Sequence, residues 1–291
     1  LLVFRGNAEA ILAKLLQQSG ADTLAWNHCH EPAQVTRDAH LMQVFTRQGY
    51  HVSCHNAALL REPGKVLKKD GTPYRVFTPF WKALHSIGPA RQPIPATGSL
   101  PAFDAGGLTG SLSVTALGLL PAVKWYQAFS RHWTPGEAGA WGALDSFCEE
   151  RLANYPGDRD IPAAAGTSRL SAHLHFGEIS PLQIWHYLSQ RASTTTTAGT
   201  ITATESYLRE IAWREFSHHL LHQFPHTTLQ PRDPRFAGFP WRTGYQDLLV
   251  QWHQGRTGIP RVDAGMRELW STGTMQYRVR MIVASFLTKN L

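Results

Sequence analysis

The first 55 residues alternate short strand-like segments with amphipathic helical segments, and this alternation restricts the fold more than any other feature of the sequence. Residues 1–4, 23–27 and 50–55 are short segments that we interpret as strands. Residues 8–18 and 35–48 lie between them and have apolar side chains at helical spacing. Strands joined by helices of this length form parallel sheets. We therefore predict a Rossmann-like α/β region with a parallel sheet, whose first strand is residues 1–4.

The character of the sequence changes twice after this region. Residues 89–121 are rich in Pro, Gly and Ser, which indicates a linker, and long helical patterns follow at 204–224 and 261–291. We predict an α/β domain at 1–92, a linker at 93–124 and an all-helical domain at 125–291. The threonine-rich stretch 193–204 predicts an exposed loop. Because the chain begins directly on a strand, we expect that sequence before it is missing.

Composition favours a polyanionic partner. The formal net charge is +7, the isoelectric point is about 9.5, and ten tryptophans offer large aromatic surfaces. The three cysteines are scattered, which is typical of a reducing compartment, so we expect a cytoplasmic protein. No apolar run is long enough to suggest a membrane protein. His28, Cys29 and His30 are adjacent and cannot easily bind one ion, so no metal is expected.

Three hydroxyl side chains surround a glycine in the sequence Gly166-Thr167-Ser168-Arg169-Leu170-Ser171. Hydroxyls and backbone N–H groups at the start of a helix can hold a phosphate. The same residues are also typical of an ordinary helix N-cap. The sequence leaves both interpretations open.

The helix predicted at 204–224 has an unusual polar face. Its apolar stripe consists of Leu208, Ala212, Phe216 and Leu220. The opposite side is expected to carry Tyr207, Glu210 and Arg214, flanked by Trp213. A solvated face with a Glu210–Arg214 ion pair would explain the charges, but it explains less well why two aromatic residues share that side.

A third polar segment lies near the end of the chain, at 274–281. On one continuous helix, Thr274, Arg278, Met281 and Ser285 would share a face, and Arg280 would point elsewhere. The two arginines could serve two ligands, or they could be ordinary surface residues.

These segments occur in an order and spacing that resemble the photolyase/cryptochrome family. The matching strings are 166–171 with Tyr155 before it, 207–216 (YLREIAWREF), 255–269 (GRTGIPRVDAGMREL) and 278–287 (RVRMIVASFL). Trp26-Asn27 with Glu31-Pro32, and residues 75–81 (RVFTPFW), are similar to the family's antenna domain. The sequence most resembles class I cyclobutane pyrimidine dimer photolyases.

The resemblance implies FAD bound in the helical domain. Positions on the phosphate side of the cofactor correspond to Tyr155, Thr167, Ser168, Leu170 and Ser171. Positions lining the flavin and the cavity beside it correspond to Tyr207, Glu210, Arg214 and Arg280. The family adds an antenna chromophore in some members, either methenyltetrahydrofolate or 8-hydroxy-5-deazaflavin, and the sequence does not distinguish between them.

The resemblance also implies light-driven repair of UV-damaged DNA, in which reduced FAD passes an electron to a flipped-out pyrimidine dimer. Trp213 would stack on the dimer, Glu210 would bond a base edge, and Trp241 would begin a tryptophan chain that reduces the flavin. Positions at the DNA-facing rim correspond to Tyr277, Arg278 and Met281. Members of the family are usually monomers, so the resemblance also implies a monomer.

Several departures keep alternatives open. Tyr277 stands where repair enzymes usually have asparagine, and Arg261 stands where an apolar residue is usual. We expect the chain to be truncated at its C-terminus as well, without part of the flavin pocket and two tryptophans. A cryptochrome photoreceptor and a flavin-free nucleic-acid-binding fragment are therefore alternatives. Repair of (6-4) photoproducts ranks lower, because residues 275–277 contain no histidine.

Overall fold

The computed structural model of the chain describes residues 1–96, 98, 99, 104, 106–194 and 198–290. Within these ranges the fold consists of one small parallel sheet and a larger assembly of helices. The helices are α1 (Ala8–Ser19), α2 (Pro32–Arg47), α3 (Phe77–Ile87), α4 (Glu137–Glu150), α5 (Tyr155–Asp158), α6 (Ser171–Phe176), α7 (Pro181–Thr194), α8 (Ala198–Gln223), α9 (Gln246–His253), α10 (Pro260–Thr272) and α11 (Tyr277–Lys289). None of them is long and apolar enough to cross a membrane.

The two strands, β1 (Thr23–Asn27) and β2 (His51–His55), pair in parallel and are joined by α2. Thr23 lies opposite His51, and the register continues to the end of both strands. Leu16, Leu41 and Phe45 are buried between the helices and the sheet. The predicted parallel pairing of segments 23–27 and 50–55 is confirmed, with β2 beginning one residue later than expected.

Residues 1–4 do not form the predicted strand. They bond to residues 111–112 instead: the Val3 carbonyl accepts the Leu112 N–H at 2.8 Å, and the Val3 N–H donates to the Ser111 Oγ at 3.3 Å. A strand requires a repeating ladder along a neighbour, and these isolated bonds do not supply one. The prediction failed because an apolar run identifies a strand only when a partner strand lies beside it.

The predicted loop at 193–204 is largely helical. Residues 193 and 194 end α7, residues 198–204 begin α8, and residues 195–197 lie outside the described part of the chain. The Thr202 hydroxyl donates to the Ala198 carbonyl at 3.1 Å, and the Thr194 hydroxyl donates to the Arg191 carbonyl at 2.9 Å. Threonines can satisfy their hydroxyls in this way inside a helix, so composition alone gave the wrong prediction here.

The helical segment predicted at 261–291 is two helices, and residue 291 is not among the described residues. Gly273, with φ of 75°, ends α10 in the left-handed conformation, and the Gln276 side chain caps α11. Thr274 therefore precedes α11 and does not share a helical face with Arg278, contrary to prediction. At Gly265 an added Cβ would lie 2.3 Å from a Val279 methyl group, so α10 and α11 pack too closely there for any larger residue.

The main hydrophobic core joins α3 to the helices of the second half. Phe80 and Leu84 of α3 are buried together with Phe147 of α4 and Leu188 of α7. The packing thus crosses residue 92, where we predicted the first domain to end. The predicted boundaries at 92 and 124 stay predictions, and the linker residues 97, 100–103 and 105 lie outside the described ranges.

Candidate functional site

A cavity of about 910 Å³ lies between the loop that follows β1, the segment from α5 to α6, the middle of α8 and the turn before α11. This volume is in the range of sites for small molecules and cofactors. Most of the site residues predicted from sequence line it: Tyr155, Thr167, Ser168, Leu170, Ser171, Tyr207, Glu210, Arg214, Tyr277 and Arg280. The fold thus gathers four segments that are far apart in sequence into one site.

The loop 166–171 passes tightly along α5. A Cβ at Gly166 would lie 2.6 Å from the Cβ of Asp158, so only glycine fits there, and Arg169 adopts a left-handed φ of 57°. Leu170 occupies the N-cap of α6 and provides no side-chain cap. The hydroxyls of this loop therefore do not cap that helix. Thr167 and Ser171, which carry two of these hydroxyls, line the cavity.

Tyr207 is buried, although we predicted it on the polar side of its helix. Its ring packs against Phe147 and Tyr155, with centroid distances of 4.7 and 5.3 Å. Its hydroxyl donates to the Ser168 Oγ at 2.8 Å. Burial raises the pKa of Tyr207 and of Tyr155, so both phenols stay protonated near neutral pH. Tyr207 therefore links α8 to the hydroxyl-bearing loop.

The predicted Glu210–Arg214 pair does not form. Glu210 accepts a hydrogen bond from Arg159 Nη1 at 2.7 Å instead, and Arg214 donates to the carbonyl of Ala58. Burial lowers the pKa of Arg214. Sequence reasoning missed Arg159, because the residue comes to Glu210 from α5 across 51 positions.

Glu215 also plays a part that the sequence did not indicate. Its carboxylate is buried and accepts the N–H groups of Leu60 and Arg61 at 3.0 and 2.9 Å. These bonds fix residues 60 and 61 to α8 near the cavity wall at Ala58. Burial raises the pKa of Glu215 to about 7, although the two N–H donors and nearby Arg214 oppose that shift.

Two ion pairs form the rim of the cavity beside α11. Arg278 donates to both carboxylate oxygens of Asp160, at 2.7 and 2.9 Å, and Arg159 Nε lies 3.5 Å from Asp160 Oδ1. The Tyr277 ring lies near both guanidinium groups, 5.9 Å from that of Arg159 and 5.3 Å from that of Arg278. Arg280 donates to the Met275 carbonyl at 3.2 Å and lines the cavity itself.

Four predicted site residues do not line the cavity: Trp213, Trp241, Arg278 and Met281. Trp213 is 44% exposed and stacks on Phe77 of α3, with ring centroids 3.7 Å apart. Met281 and Trp241 are exposed, and the ring of Trp241 lies 4.8 Å from that of Phe239. Trp213 and Glu210 therefore do not line the same cavity, and the roles of these four residues remain predictions.

His28 and His30, which the sequence suggested only as possible metal ligands, line the end of the cavity nearest the sheet together with His218 of α8. His30 meets His218 of α8 edge-on, with ring centroids 5.1 Å apart, and His28 Nδ1 lies 3.1 Å from Cys54 Sγ. Burial, reinforced by His218 and His28, lowers the pKa of His30 to about 4. Among the described residues, no three His, Cys, Asp or Glu side chains are placed to hold a metal ion. No sequence signal could have predicted this contact, because the loop after β1 and α8 come together only in the folded chain.

The lining fits a dinucleotide cofactor. Hydroxyls from the 166–171 loop can donate hydrogen bonds to phosphates, and the guanidinium groups of Arg214 and Arg280 can donate to the polar edge of a ring system.

Comparison with known proteins supports the same conclusion about the cofactor. A family model described as the FAD binding domain of DNA photolyase matches residues 207–291, and one described as DNA photolyase matches residues 1–99. The chain is 41% identical to a deoxyribodipyrimidine photo-lyase of Agrobacterium fabrum over 291 residues, covering all of the chain and 60% of that relative. It is 33% identical to cryptochrome-1 of Arabidopsis thaliana over 290 residues, covering 97% of the chain and 42% of that protein.

A solved structure gives the same result for the fold. The crystal structure of a bacterial class III photolyase from Agrobacterium tumefaciens superposes with a TM-score of 0.85 at 39% identity, covering 98% of this chain and 58% of that one. The class I assignment expected from the motifs is not confirmed. The chain spans about 60% of the length of the photo-lyase relative. The two family models, which match separate parts of the chain, and the similarity across its whole length lead to one conclusion: the chain belongs to the photolyase/cryptochrome family.

Proposed function

We propose that the chain forms the flavin-binding part of an enzyme that uses light to repair cyclobutane pyrimidine dimers in DNA. The observation that carries this proposal is the meeting of loop 166–171, Tyr207, Glu210 and Arg280 in one cavity. The sequence resemblance assigns these residues to the flavin site, and the fold brings them together. The 39% identity to a class III photolyase favours that class over class I.

Each part of the cavity has a separate task in this proposal. Tyr155, Thr167, Ser168, Leu170 and Ser171 would hold the phosphate side of FAD, and Arg214 and Arg280 would lie near its ring system. FAD, when bound and reduced, supplies an electron donor that light can excite. The protein's contribution is to position the cofactor and the lesion and to exclude water from the space between them.

The residues beside the cofactor positions would receive the lesion. A dimer must leave the duplex to enter a cavity of this kind, and a damaged step is less costly to unstack than an intact one. The Glu210 carboxylate, oriented by Arg159, can accept a hydrogen bond from a base edge. Arg278, the exposed arginine beside the cavity, would contact a backbone phosphate.

A cryptochrome-type photoreceptor is the second candidate, and one observation favours it. Tyr277 lines the cavity and lies near two guanidinium groups, where repair enzymes usually have the smaller asparagine. The bulk of the phenol would reduce the room for a flipped dimer. The antenna chromophore, the monomeric state and the cytoplasmic location stay predictions.

The first test is an absorption spectrum of the purified chain, followed by illumination with blue light in the presence of an oligonucleotide that carries one dimer. A flavin spectrum with light-dependent loss of dimers supports repair. Flavin without loss of dimers supports the photoreceptor. A chain that is folded but takes up no FAD, even when FAD is added in excess, contradicts both proposals and leaves the flavin-free alternative.

A matched pair of variants tests the hydroxyl-bearing loop. We expect Thr167→Val to weaken FAD binding about tenfold to a hundredfold, because a hydrogen bond to a charged group contributes about 1.5–3 kcal/mol. Thr227→Val removes an exposed threonine hydroxyl elsewhere and should leave the Kd unchanged. The Kd is measured by quenching of flavin fluorescence. Equal affinity in both variants would exclude the loop from the cofactor site.

A further inference from the structure

Four charged side chains form a continuous series from the cavity wall to the protein surface. Glu210 pairs with Arg159 at 2.7 Å, Arg159 approaches Asp160 at 3.5 Å, and Asp160 pairs with Arg278 at 2.7 Å. The charges alternate in sign along the series. Arg278, which sequence reasoning assigned to DNA, is therefore engaged by a carboxylate of the same chain.

The inner and outer pairs differ in exposure. The side chains of Glu210 and Arg159 are 25% and 15% exposed, whereas those of Asp160 and Arg278 are 46% and 41% exposed. Exposed ion pairs contribute only about 0–1 kcal/mol, because water and salt screen them and because two long side chains must be ordered. The inner pair is thus the fixed part of the series. The two members of the outer pair can separate and bind other charged groups at a small cost in free energy.

Asp160 holds Arg278 in the way that a phosphate would. Two N–H···O bonds from one guanidinium group to the two oxygens of one anion are the contact that arginine makes with carboxylates and phosphates alike. The hydrogen bond from Arg278 lowers the pKa of Asp160, so the carboxylate stays charged throughout the neutral range. The neighbouring Tyr277 ring keeps the Arg278 guanidinium at the rim, 5.3 Å away.

We propose that Asp160 is an affinity-limiting residue for DNA: its carboxylate occupies the position on Arg278 that a backbone phosphate takes in the complex. The inference rests on the proposed function, since it requires that DNA is the ligand of this rim. DNA binding then exchanges one anion for another on Arg278. The carboxylate that is released also repels the phosphate beside it.

Removal of the Asp160 charge should change the affinity for DNA and its dependence on salt. We expect Asp160→Asn to bind DNA about twofold to fivefold more tightly at low salt, which corresponds to the contribution of an exposed ion pair. In the variant, Arg278 is free to neutralise a phosphate without releasing a carboxylate. The slope of log Kd against log salt should therefore become steeper by up to about one ion, and the gain in affinity should shrink as salt is added.

The experiment measures the Kd of a fluorescent duplex with one pyrimidine dimer by anisotropy, over a salt series, for the 291-residue chain and three variants. The variants are Asp160→Asn, Arg278→Ala and the double substitution. The gain from Asp160→Asn should disappear when Arg278 is absent. Glu205→Gln is the control: this exposed carboxylate lies on the same helix as Glu210 and does not line the cavity. Its removal changes the net charge equally and should leave the Kd nearly unchanged.

The outcomes separate the inference from the function on which it rests. DNA binding by the unsubstituted chain, with an Asp160→Asn affinity that is unchanged or lower, would overturn the inference alone and make Asp160 a residue that merely orients Arg278. The same gain in Glu205→Gln, or in the Arg278→Ala background, would reduce the effect to net charge and would also overturn it. A folded chain that binds no DNA at low salt would overturn the proposed function, and the inference with it.

Discussion

Glu215 is the buried carboxyl group that holds the cavity wall in place. Its removal leaves the N–H groups of Leu60 and Arg61 without their acceptor inside the protein. Because each unsatisfied buried donor costs about 1–3 kcal/mol, we expect Glu215→Ala to lower the free energy of unfolding by about 2–5 kcal/mol. Urea denaturation measures the change. Glu205→Ala, on the exposed face of the same helix, should cost less than about 0.5 kcal/mol. A loss below about 1 kcal/mol for Glu215→Ala would mean that water replaces the carboxylate.

At the residue scale, the sequence identified which side chains line the cavity better than it identified their partners. The spacing of Tyr207, Glu210 and Arg214 on a helix was sound, and all three line the site. Their partners are Ser168, Arg159 and the Ala58 carbonyl, which are separated from them by 39, 51 and 156 positions. A helical pattern contains no information about contacts over such distances. For this reason the local pair Glu210–Arg214 was the natural prediction and was wrong.

At the scale of elements, Trp133 connects three segments around the cavity. Its Nε1–H donates to the Thr272 carbonyl at the end of α10 at 2.7 Å, and the Arg169 guanidinium lies 4.9 Å from its ring. The edge of the ring also meets His173 of α6. Trp133 therefore fixes the hydroxyl-bearing loop relative to α10.

We expect two substitutions of Trp133 to separate these contacts. Trp133→Phe should cost about 1 kcal/mol of stability, since it loses the hydrogen bond and keeps a ring under Arg169. Trp133→Ala should cost about 3–5 kcal/mol and also weaken FAD binding, because the loop loses its support. Trp270→Ala, a 67% exposed tryptophan on α10, serves as the control and should have a small effect. Thermal denaturation and flavin fluorescence provide the measurements. Unchanged FAD affinity in a folded Trp133→Ala protein would contradict the assigned role.

Helix ends were predictable where the hydrophobic pattern stopped at a residue that commonly ends helices. Gly20 ends α1 in the left-handed conformation, and the predicted helix at 8–18 is confirmed within one residue. The break at Gly273 was missed because apolar residues continue on both sides of it. The predicted strand at residues 1–4 failed because no partner strand lies beside it in the part of the chain that the structure describes. The predicted loop at 193–204 failed because its threonines bond carbonyls of their own helices.

At the scale of the whole molecule, the contact between His30 and His218 connects the loop after β1 to α8 and makes stability depend on pH. Burial and the facing His218, His28 and Arg214 lower the pKa of His30 to about 4, whereas Glu31 opposes this shift. The ordinary value is 6.5, so the unfolded chain takes up the proton first as the pH falls. The stabilisation is complete above pH 6.5 and is lost between pH 6.5 and about 4.

We therefore expect the melting temperature of the chain to fall across this window, and His30→Asn to make the decline shallower. His132→Asn, at an exposed position after the Trp125–Arg131 turn, is the control and should leave the slope unchanged. Melting curves at half-unit pH steps give the comparison. A slope in His30→Asn identical to that of the unsubstituted protein would show that the histidine contact does not couple the two regions.

The architecture as a whole was predictable in outline. A parallel α/β unit followed by helices appears in both the pattern and the structure. The packing of α3 into the helical core was not predictable, because its apolar face would fit a sheet as well as a helix bundle. For the same reason, the sequence did not show that His28 and His30 line the cavity. Which surfaces meet is a property of two regions together, and neither sequence segment specifies it alone.

The pairing of Glu215 with Leu60 has a consequence for the order of events during synthesis. The donor and the acceptor are 155 positions apart, and ribosomes add about 5–20 residues per second. For roughly 8–30 seconds, then, the nascent chain carries a complete β1–α2–β2 unit whose neighbouring segment has no anchor. During this interval α3 exposes Phe80 and Leu84, which later become fully buried. Chaperones would bind this exposed apolar surface of α3. Slow translation of α8 would prolong the time during which they can bind.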